Sequence, residues 1–457
     1  MLDIEPEFST RIFSHIDFTS GAVAAVSGGS DSTALLLLLK YHLDRTAPAT
    51  KLLAVTIDHG LRAGSAAEAQ AVAKLCATYG ISHRIMTWSG LKPPTGLPAA
   101  AREVRYRLLA EAAQAEGIGL ILTGHTADDQ AETVLMRQAR DDGREFAGMA
   151  GRGLAGMAPA TLYDWRSWIV RPLLGERRST LRDVLRRRNV DWADDPTNVD
   201  EAFERPRMRA MLAGRDGVRR IDDALALAAH EGKARRQLGL AAADLIRRFA
   251  AQPGAGLVRL DPGFLSTGDD RAAVYALRIL LATTGGIPFL PDQARGEALF
   301  GRLKAGFLCA TLSRTVVDFR RAGIFLRREA RGLPAAAAAD STLWDGRRHI
   351  TLNDSSGALL IAPFGTAAAK RLAMGDGKIP PSLMRAALAA EPALWRSGEC
   401  LGLPGHGTVS ATVEARPVVA PFARFLPSFD LAPARAVAGL IGAAPVPPLP
   451  FRGHSAG

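Results

Sequence analysis

The sequence predicts an α/β fold built on a doubly wound, mostly parallel sheet, followed by a helical domain and a small C-terminal α/β or β-rich region. Three observations predict it. Short apolar runs alternate with helical stretches over the first two hundred residues, a glycine- and serine-rich turn follows the first run, and the rhythm breaks after about residue 212. The expected domains are 1–212, 213–332 and 333–457.

Ala22–Val26 fits a short buried strand, and Thr33–Leu43 reads as the helix after it, starting near Ser32. Lys51–Ile57 and Ser65–Tyr79 repeat the pair. His83–Met86, Pro98–Glu116, Ile118–Thr123 and Asp128–Arg140 continue it. Such a βαβα order favours parallel strands with helices on both faces. Ile221–Phe249 then reads as one or two long helices with a basic face formed by Arg219, Arg220, Lys233, Arg235, Arg236, Arg247 and Arg248. That face suits either RNA or plain solvent. Strand signals return in Cys309–Asp318 and Gly323–Arg328. Leu333–Asp340, with five consecutive alanines, reads as a linker, and the last twenty residues, rich in Pro, Ala and Gly, as a poorly ordered tail.

Composition narrows the class. The longest early apolar run, Ala34–Leu39, is too short to span a bilayer, so no membrane partner is expected. Asp3, Glu5 and Glu7 stand where a secretory signal would be basic. Cys76, Cys309 and Cys400 are far apart, which is the usage of a reduced cytoplasm and argues against zinc, an iron–sulfur cluster or disulfides. The net charge of +11 points to a polyanionic partner. Only eight of the 57 basic residues are lysine, however, so a drift toward arginine explains part of it.

The chemistry is concentrated in Ser27-Gly28-Gly29-Ser30-Asp31-Ser32, between the first strand and its helix. Glycines let backbone N–H groups converge on phosphate oxygens, and the helix N-terminus adds its positive end. Ser27, Ser30 and Ser32 supply hydroxyls for a pyrophosphate, while Asp31 needs a bound Mg²⁺ to approach one. The Gly-Lys-Ser/Thr of a P-loop and the GxGxxG of a dinucleotide fold are absent.

This loop resembles the pyrophosphate-binding loop of the N-type ATP pyrophosphatases, which split ATP into AMP and pyrophosphate. Further segments are similar to the tRNA(Ile)-lysidine synthetases of that superfamily: Asp58-His59-Gly60-Leu61-Arg62, Ala101-Arg102-Glu103-Val104-Arg105-Tyr106 and Gly124-His125-Thr126-Ala127-Asp128-Asp129-Gln130-Ala131-Glu132-Thr133. Arg171-Pro172-Leu173-Leu174 and Trp192-Ala193-Asp194-Asp195-Pro196-Thr197-Asn198 add to the likeness. It thins after residue 212 to Leu326-Arg327-Arg328-Glu329 and Leu343-Trp344-Asp345-Gly346.

The resemblance implies an adenine nucleotide alpha hydrolase-like fold, ATP and Mg²⁺ as reactants, and a cytoplasmic enzyme. It would adenylate the wobble cytidine of the CAU-anticodon isoleucine tRNA and then attach free L-lysine. It assigns catalysis to Asp31, Arg105, His125 and Asp129, and nucleotide binding to residues 27–32 with Asp58 and His59. Substrate contacts fall to Arg102, Arg105, Glu132, Arg205 and Arg207, and Mg²⁺ to Asp31 through ATP. Asp129 and His125 both qualify as acceptor of the lysine proton. Asp128, Asp129 and Glu132 also suit a bare helix N-terminus.

Three departures stand out. Thr126 replaces a second histidine, Pro206 interrupts an Arg-Asn-Arg pattern as Arg205-Pro206-Arg207, and the Gly-rich segment Asp141–Gly156 is long. The competing readings are a tRNA 2-thiolation enzyme of the same superfamily and, from another class, a non-catalytic RNA-binding protein. An ammonia-using synthetase would need a glutaminase that the chain does not offer. The sequence leaves room for a homodimer.

Overall fold

The computed structural model describes residues 4–61, 64–141, 153–193, 204–338, 343–352, 359–372, 379–404 and 413–452. The chain divides into two compact units, 1–234 with 447–457, and 235–446.

The first unit runs α1 (Ile4–Phe13), β1 (Ala22–Ala25), α2 (Ser30–Thr46), β2 (Leu52–Asp58), α3 (Ser65–Thr78), β3 (Ser82–Thr87), α4 (Leu97–Ala115), β4 (Leu120–Thr123) and α5 (Ala127–Asp141). It continues with β5 (Ala160–Tyr163), β6 (Ser167–Val170), α6 (Arg178–Arg187) and α7 (Glu204–Leu212), and α8 (Gly217–Phe249) begins in it. Six strands pair in the order β5-β6-β4-β1-β2-β3, parallel except for β5 on β6. Central β1 reads Ala-Val-Ala-Ala, with Ala24 beside Ala54 on one flank and Leu122 on the other. Leu35 to Leu39 are all buried in α2, because β1, α1 and α6 cover that helix. Strand order reverses between β1 and β4, and the C-terminal ends of those strands form the crevice where open α/β sheets bind ligands.

Helix α2 begins at Ser30, two residues before the expected start. Gly29 occupies the N-cap with no side chain capping the helix, so the first N–H groups stay free of intrahelical partners. The tail expectation is also corrected. Residues as far as Ile441 continue helix Leu431–Ile441, and Phe451 pairs with Ile16 and lays its ring on His15 at 5.5 Å. Residues 453–457 of that tail lie outside the described residues.

In the second unit, β7 (Ala250–Gly254), β8 (Leu257–Leu260), β9 (Cys309–Leu312), β10 (Thr315–Arg320) and β11 (Gly323–Arg328) form an antiparallel sheet in the order β7-β8-β11-β10-β9. Helix α9 (Asp270–Gly285) packs on it, followed by α10 (Gln293–Ala305). The expected strand Cys309–Asp318 is therefore a hairpin, turned by Ser313 and Arg314 at φ 52° and 60°. Two alanines of the expected linker, Ala337–Ala338, form β12. Beyond it β13 (Leu343–Trp344), β14 (Arg348–Leu352), β15 (Leu360–Pro363), β16 (Pro392–Arg396), β17 (Glu399–Gly402) and β18 (Val413–Pro417) make two small sheets, β12-β15-β16-β17 and β13-β14-β18. Helices α11 (Thr366–Leu372), α12 (Pro381–Ala389) and α13 (Leu431–Ile441) complete the unit.

Buried ion pairs knit this unit. Fully buried Arg328 holds Asp345 at 3.0 and 3.1 Å, and Arg347 joins Asp345 at 2.8 Å to Glu391 at 2.6 Å. Close by, Gly286 and Gly346, both at φ +68°, press their backbones together: a Cβ on Gly346 would overlap the Gly286 carbonyl oxygen. The basic face expected on α8 is divided. Exposed Arg248 pairs with Asp244 at 3.2 Å, whereas Arg235 turns inward to Asp430, with Nε 3.0 Å from Oδ1. Arg235 is thus an internal anchor and not part of an outer basic surface. Among the described residues no helix is long and apolar enough to cross a membrane.

Candidate active site

The loop after β1 is folded by its own hydroxyls. The Ser32 Oγ accepts the Ser27 N–H at 3.1 Å, meets the Ser27 hydroxyl at 3.1 Å and donates to the Gly29 carbonyl at 3.1 Å. Gly28 sits at φ +87°, a conformation that disfavours other residues. The β4–α5 connection closes over this loop. A Cβ on Gly124 would lie 2.9 Å from both the Asp31 oxygen and the Ser32 nitrogen, so only glycine allows the approach. Ala193 donates its N–H to the Gly28 carbonyl at 2.9 Å. Asp194–Asn198 and Arg62 lie outside the described residues, as does most of the Gly-rich segment.

Helix α5 opens with a reciprocal cap. The Thr126 N–H and hydroxyl both donate to Asp129 Oδ2 at 2.9 Å, and the Asp129 N–H points back at Thr126 Oγ1 at 3.4 Å. The threonine that replaces a histidine therefore orients a carboxylate. One turn on, Glu132 is buried, and its Oε2 has no hydrogen-bond partner among the described residues.

Arg178, the first residue of α6, links these pieces. Its Nε donates to Asp31 Oδ2 at 2.8 Å, its Nη2 to Asp129 Oδ1 at 2.9 Å, and its Nη1 lies 3.7 Å from Glu132 Oε1. Its own N–H caps onto Asp128 Oδ2 at 2.8 Å. Arg182, one turn along α6, reaches the Ser30 hydroxyl at 3.3 Å. From α7, Arg209 donates to Glu132 Oε1 at 2.8 Å. Pro206 stands in the first turn of α7, where a missing N–H costs nothing. Arg205 and Arg207 are exposed, so Arg209 is the α7 arginine that meets Glu132.

A basic side faces this acidic one. Arg102 and Arg105 lie over the Tyr106 ring at 5.0 and 5.1 Å. Burial raises the Tyr106 phenol, but Arg105, Arg171 and Arg102 outweigh it and bring it down to about 8. Burial, with help from Arg171 and Arg105, pushes His125 down to about 3, so it is neutral at pH 7. The His125 Nδ1 is 2.9 Å from the Thr123 hydroxyl. Burial presses Asp129 upward, yet Arg178 and Thr126 hold it below the usual carboxylate range. Asp31 and Glu132 lie above it, because burial prevails over Arg178 and Arg209 respectively.

Asp58 and His59 stand at the end of the neighbouring strand β2. Asp58 accepts the Gly60 N–H at 2.8 Å, and the His59 ring meets Trp88 edge-on at 6.0 Å. The structure thus brings together Asp31, Asp129 and Glu132 on one side and Arg102, Arg105 and His125 on the other. Sequence reasoning missed Arg178, Arg182 and Arg209, which no motif marks; only the density of arginine in α6 and α7 hints at them.

Residues 7–215 match a family model described as a PP-loop domain. The chain is 73% identical to the tRNA(Ile)-lysidine synthase of Mesorhizobium japonicum over 457 residues, all of both chains. It is 38% identical to that of Rhizobium meliloti over 93% of each chain. It is 34% identical to that of Brucella anthropi over 96% of this chain and 98% of the other. With likeness at this level running through both units, the chain belongs to the tRNA(Ile)-lysidine synthase family.

Proposed function

We propose that the chain ligates free L-lysine to the wobble cytidine of the CAU-anticodon isoleucine tRNA, consuming ATP and releasing AMP and pyrophosphate. One observation carries the reading: Arg178 ties the phosphate-type loop at Asp31 to the acidic pair Asp129 and Glu132. A place for a triphosphate and a place for an amine therefore adjoin. The name shared by the full-length relatives supports the same reaction.

In the first step the cytidine carbonyl oxygen attacks the α-phosphorus and the bond to pyrophosphate breaks. The free N–H groups at Gly29–Asp31 and the hydroxyls of Ser27 and Ser30 bind the leaving oxygens. Asp31 suits Mg²⁺, an ion that takes one or two carboxylates and fills its shell with substrate phosphates and water. When bound, Mg²⁺ would neutralise charge on the departing pyrophosphate. Arg105, whose buried Nε has no hydrogen-bond partner among the described residues, is the arginine best able to meet charge at the α-phosphate.

In the second step the lysine ε-amine attacks the activated carbon and AMP leaves with the oxygen. The amine must first lose a proton. Glu132, raised by burial, suits that task better than Asp129, held low, or His125, at about 3. The exposed Arg102, Arg205 and Arg207 are assigned to the tRNA, along with region 213–332, where helices accompany the sheet β7–β11, and the C-terminal region. Asp58 and His59 are assigned to the nucleotide from the adjoining strand end. The reaction belongs to the cytoplasm, and sedimentation of the purified chain reads whether it works as a homodimer.

Nothing specific favours 2-thiolation. The buried Cys76 thiol is pushed up to about 11, while Cys309 and Cys400 belong to the second unit. The test is pyrophosphate release with the CAU isoleucine tRNA, with and without lysine. Release that needs this tRNA, with lysine entering it and both lost in Asp31→Ala, is the expected result. Dependence on a sulfur donor would transfer the chain to the thiolation class.

A further inference from the structure

Arg178 is a cation bound where the reaction needs another. Its three guanidinium nitrogens face Asp31, Asp129 and Glu132 at 2.8, 2.9 and 3.7 Å, and its side chain is only 20% exposed. At Asp129 the oxygen it covers is the one Thr126 leaves over, whereas at Glu132 it faces Oε1, which Arg209 also holds. Asp129 Oδ2 is already taken by both Thr126 donors, so Oδ1 is the oxygen open to a ligand; Arg178 holds it at 2.9 Å, with Arg209 Nη2 farther off at 3.7 Å. Glu132 Oε1 is held by Arg209, while Oε2 stays buried without a hydrogen-bond partner among the described residues. An ammonium group offered to this pair would complete Glu132 but would meet the guanidinium at Asp129. A carboxylate can carry two cations, as Asp345 does, but Arg178 beside the same oxygen would repel an incoming ammonium and weaken its binding.

The same guanidinium borders the phosphate loop. Its Nε bond to Asp31 places it within the loop itself, beside Arg182, which reaches Ser30. A triphosphate over the loop would attract it away from the carboxylates, since arginine binds phosphate and carboxylate with the same fork.

We propose that Arg178 is a displaceable internal cation: the nucleotide draws it from Asp129 and Glu132, and the amine of the substrate then takes its place. This rests on the lysine-ligating function above, and it makes Arg178 a positioning residue that couples the two small substrates. Coupling of this kind is reciprocal, so lysine tightens nucleotide binding by the same factor that nucleotide tightens lysine binding.

The experiment is calorimetric titration of the full chain with lysine, with and without α,β-methylene-ATP, and the reverse titration. In the wild type each ligand should tighten the other about tenfold, within the usual range of such couplings. Arg178→Met keeps the aliphatic stem but not the charge. It should bind lysine without nucleotide at least as tightly as the wild type, and its coupling factor should fall to about one. Arg178→Lys should restore coupling. A purely structural role predicts otherwise: Arg178→Met would weaken lysine equally in both states with coupling intact, and that overturns the proposal. If Arg178→Met fails to fold, the wild-type coupling factor and Arg178→Lys decide alone; a factor of one in the wild type overturns the proposal. Lysine incorporation into the tRNA by the wild type is scored in parallel. Incorporation without coupling removes the proposal and leaves the function standing, whereas no incorporation and no lysine binding removes both.

Discussion

Thr126 gives Asp129 both its N–H and its hydroxyl, each 2.9 Å from Oδ2. Thr126→Ala removes one of those donors and the acceptor for the Asp129 N–H. The expected cost is about 1 kcal/mol of stability, together with a lower kcat, since Asp129 loses its fixed orientation. Thr126→Ser should recover both. Thermal unfolding and lysine incorporation check this, and an alanine variant with wild-type turnover would falsify the positioning role.

Gly124 bears on the loop through backbone alone. Gly124→Ala forces a methyl to within 2.9 Å of the Asp31 oxygen, and relieving that contact should cost about 1–3 kcal/mol, a roughly 5- to 150-fold loss. The loss should appear in affinity for an ATP analogue, while overall helix content is unchanged by circular dichroism. Unaltered nucleotide affinity would mean that the two connections do not depend on each other.

His125 should make the protein acid-sensitive. Its folded pKa, about 3, lies below the ordinary 6.5, so below pH 6.5 the unfolded chain binds a proton that the native one refuses. The neutral histidine's contribution is full above pH 6.5 and is lost as pH falls toward 3, at up to about 1.4 kcal/mol per unit. Denaturant titrations from pH 7 to 5 should show a shallower decline in His125→Asn than in the wild type. Equal slopes would refute the assignment.

Asp345 and Lys40 test what burial does to an ion pair. Asp345 is fully buried against Arg328 and Arg347, so Asp345→Asn, by breaking it, should cost about 3–5 kcal/mol. Lys40 and Asp44 form an exposed i,i+4 pair, and Lys40→Ala should cost less than about 0.5 kcal/mol. Chemical denaturation of both variants decides; similar values would undo the distinction.

The alternating rhythm of the first unit was legible because each strand is short, apolar and bounded by turn residues. SGGSDS stood out because its glycines and hydroxyls have a local purpose, and the acids of α5 because they sit one turn apart. Arg178 escaped notice because its meaning depends on Asp31, 147 residues away; a basic residue at a helix start looks the same whether it faces solvent or a cleft. Arg235 misled for the same reason, its partner Asp430 being 195 residues distant. The hairpin at Ser313 and Arg314 was hidden because neither residue is usual at positive φ. The tail was misread because Phe451 finds its partners, His15 and Ile16, at the far end of the chain.

Gly286 and Gly346 touch through backbone atoms on segments sixty residues apart. Every amino-acid change that a single nucleotide can make in a glycine codon adds a side chain, and here any side chain collides. Neither position can drift while the other waits, because the obstacle to each is main chain that no substitution removes. The end of helix α9 and the turn between β13 and β14 must therefore descend together, and a homologous exchange with its crossover between them succeeds only when the incoming piece carries glycine at the matching place.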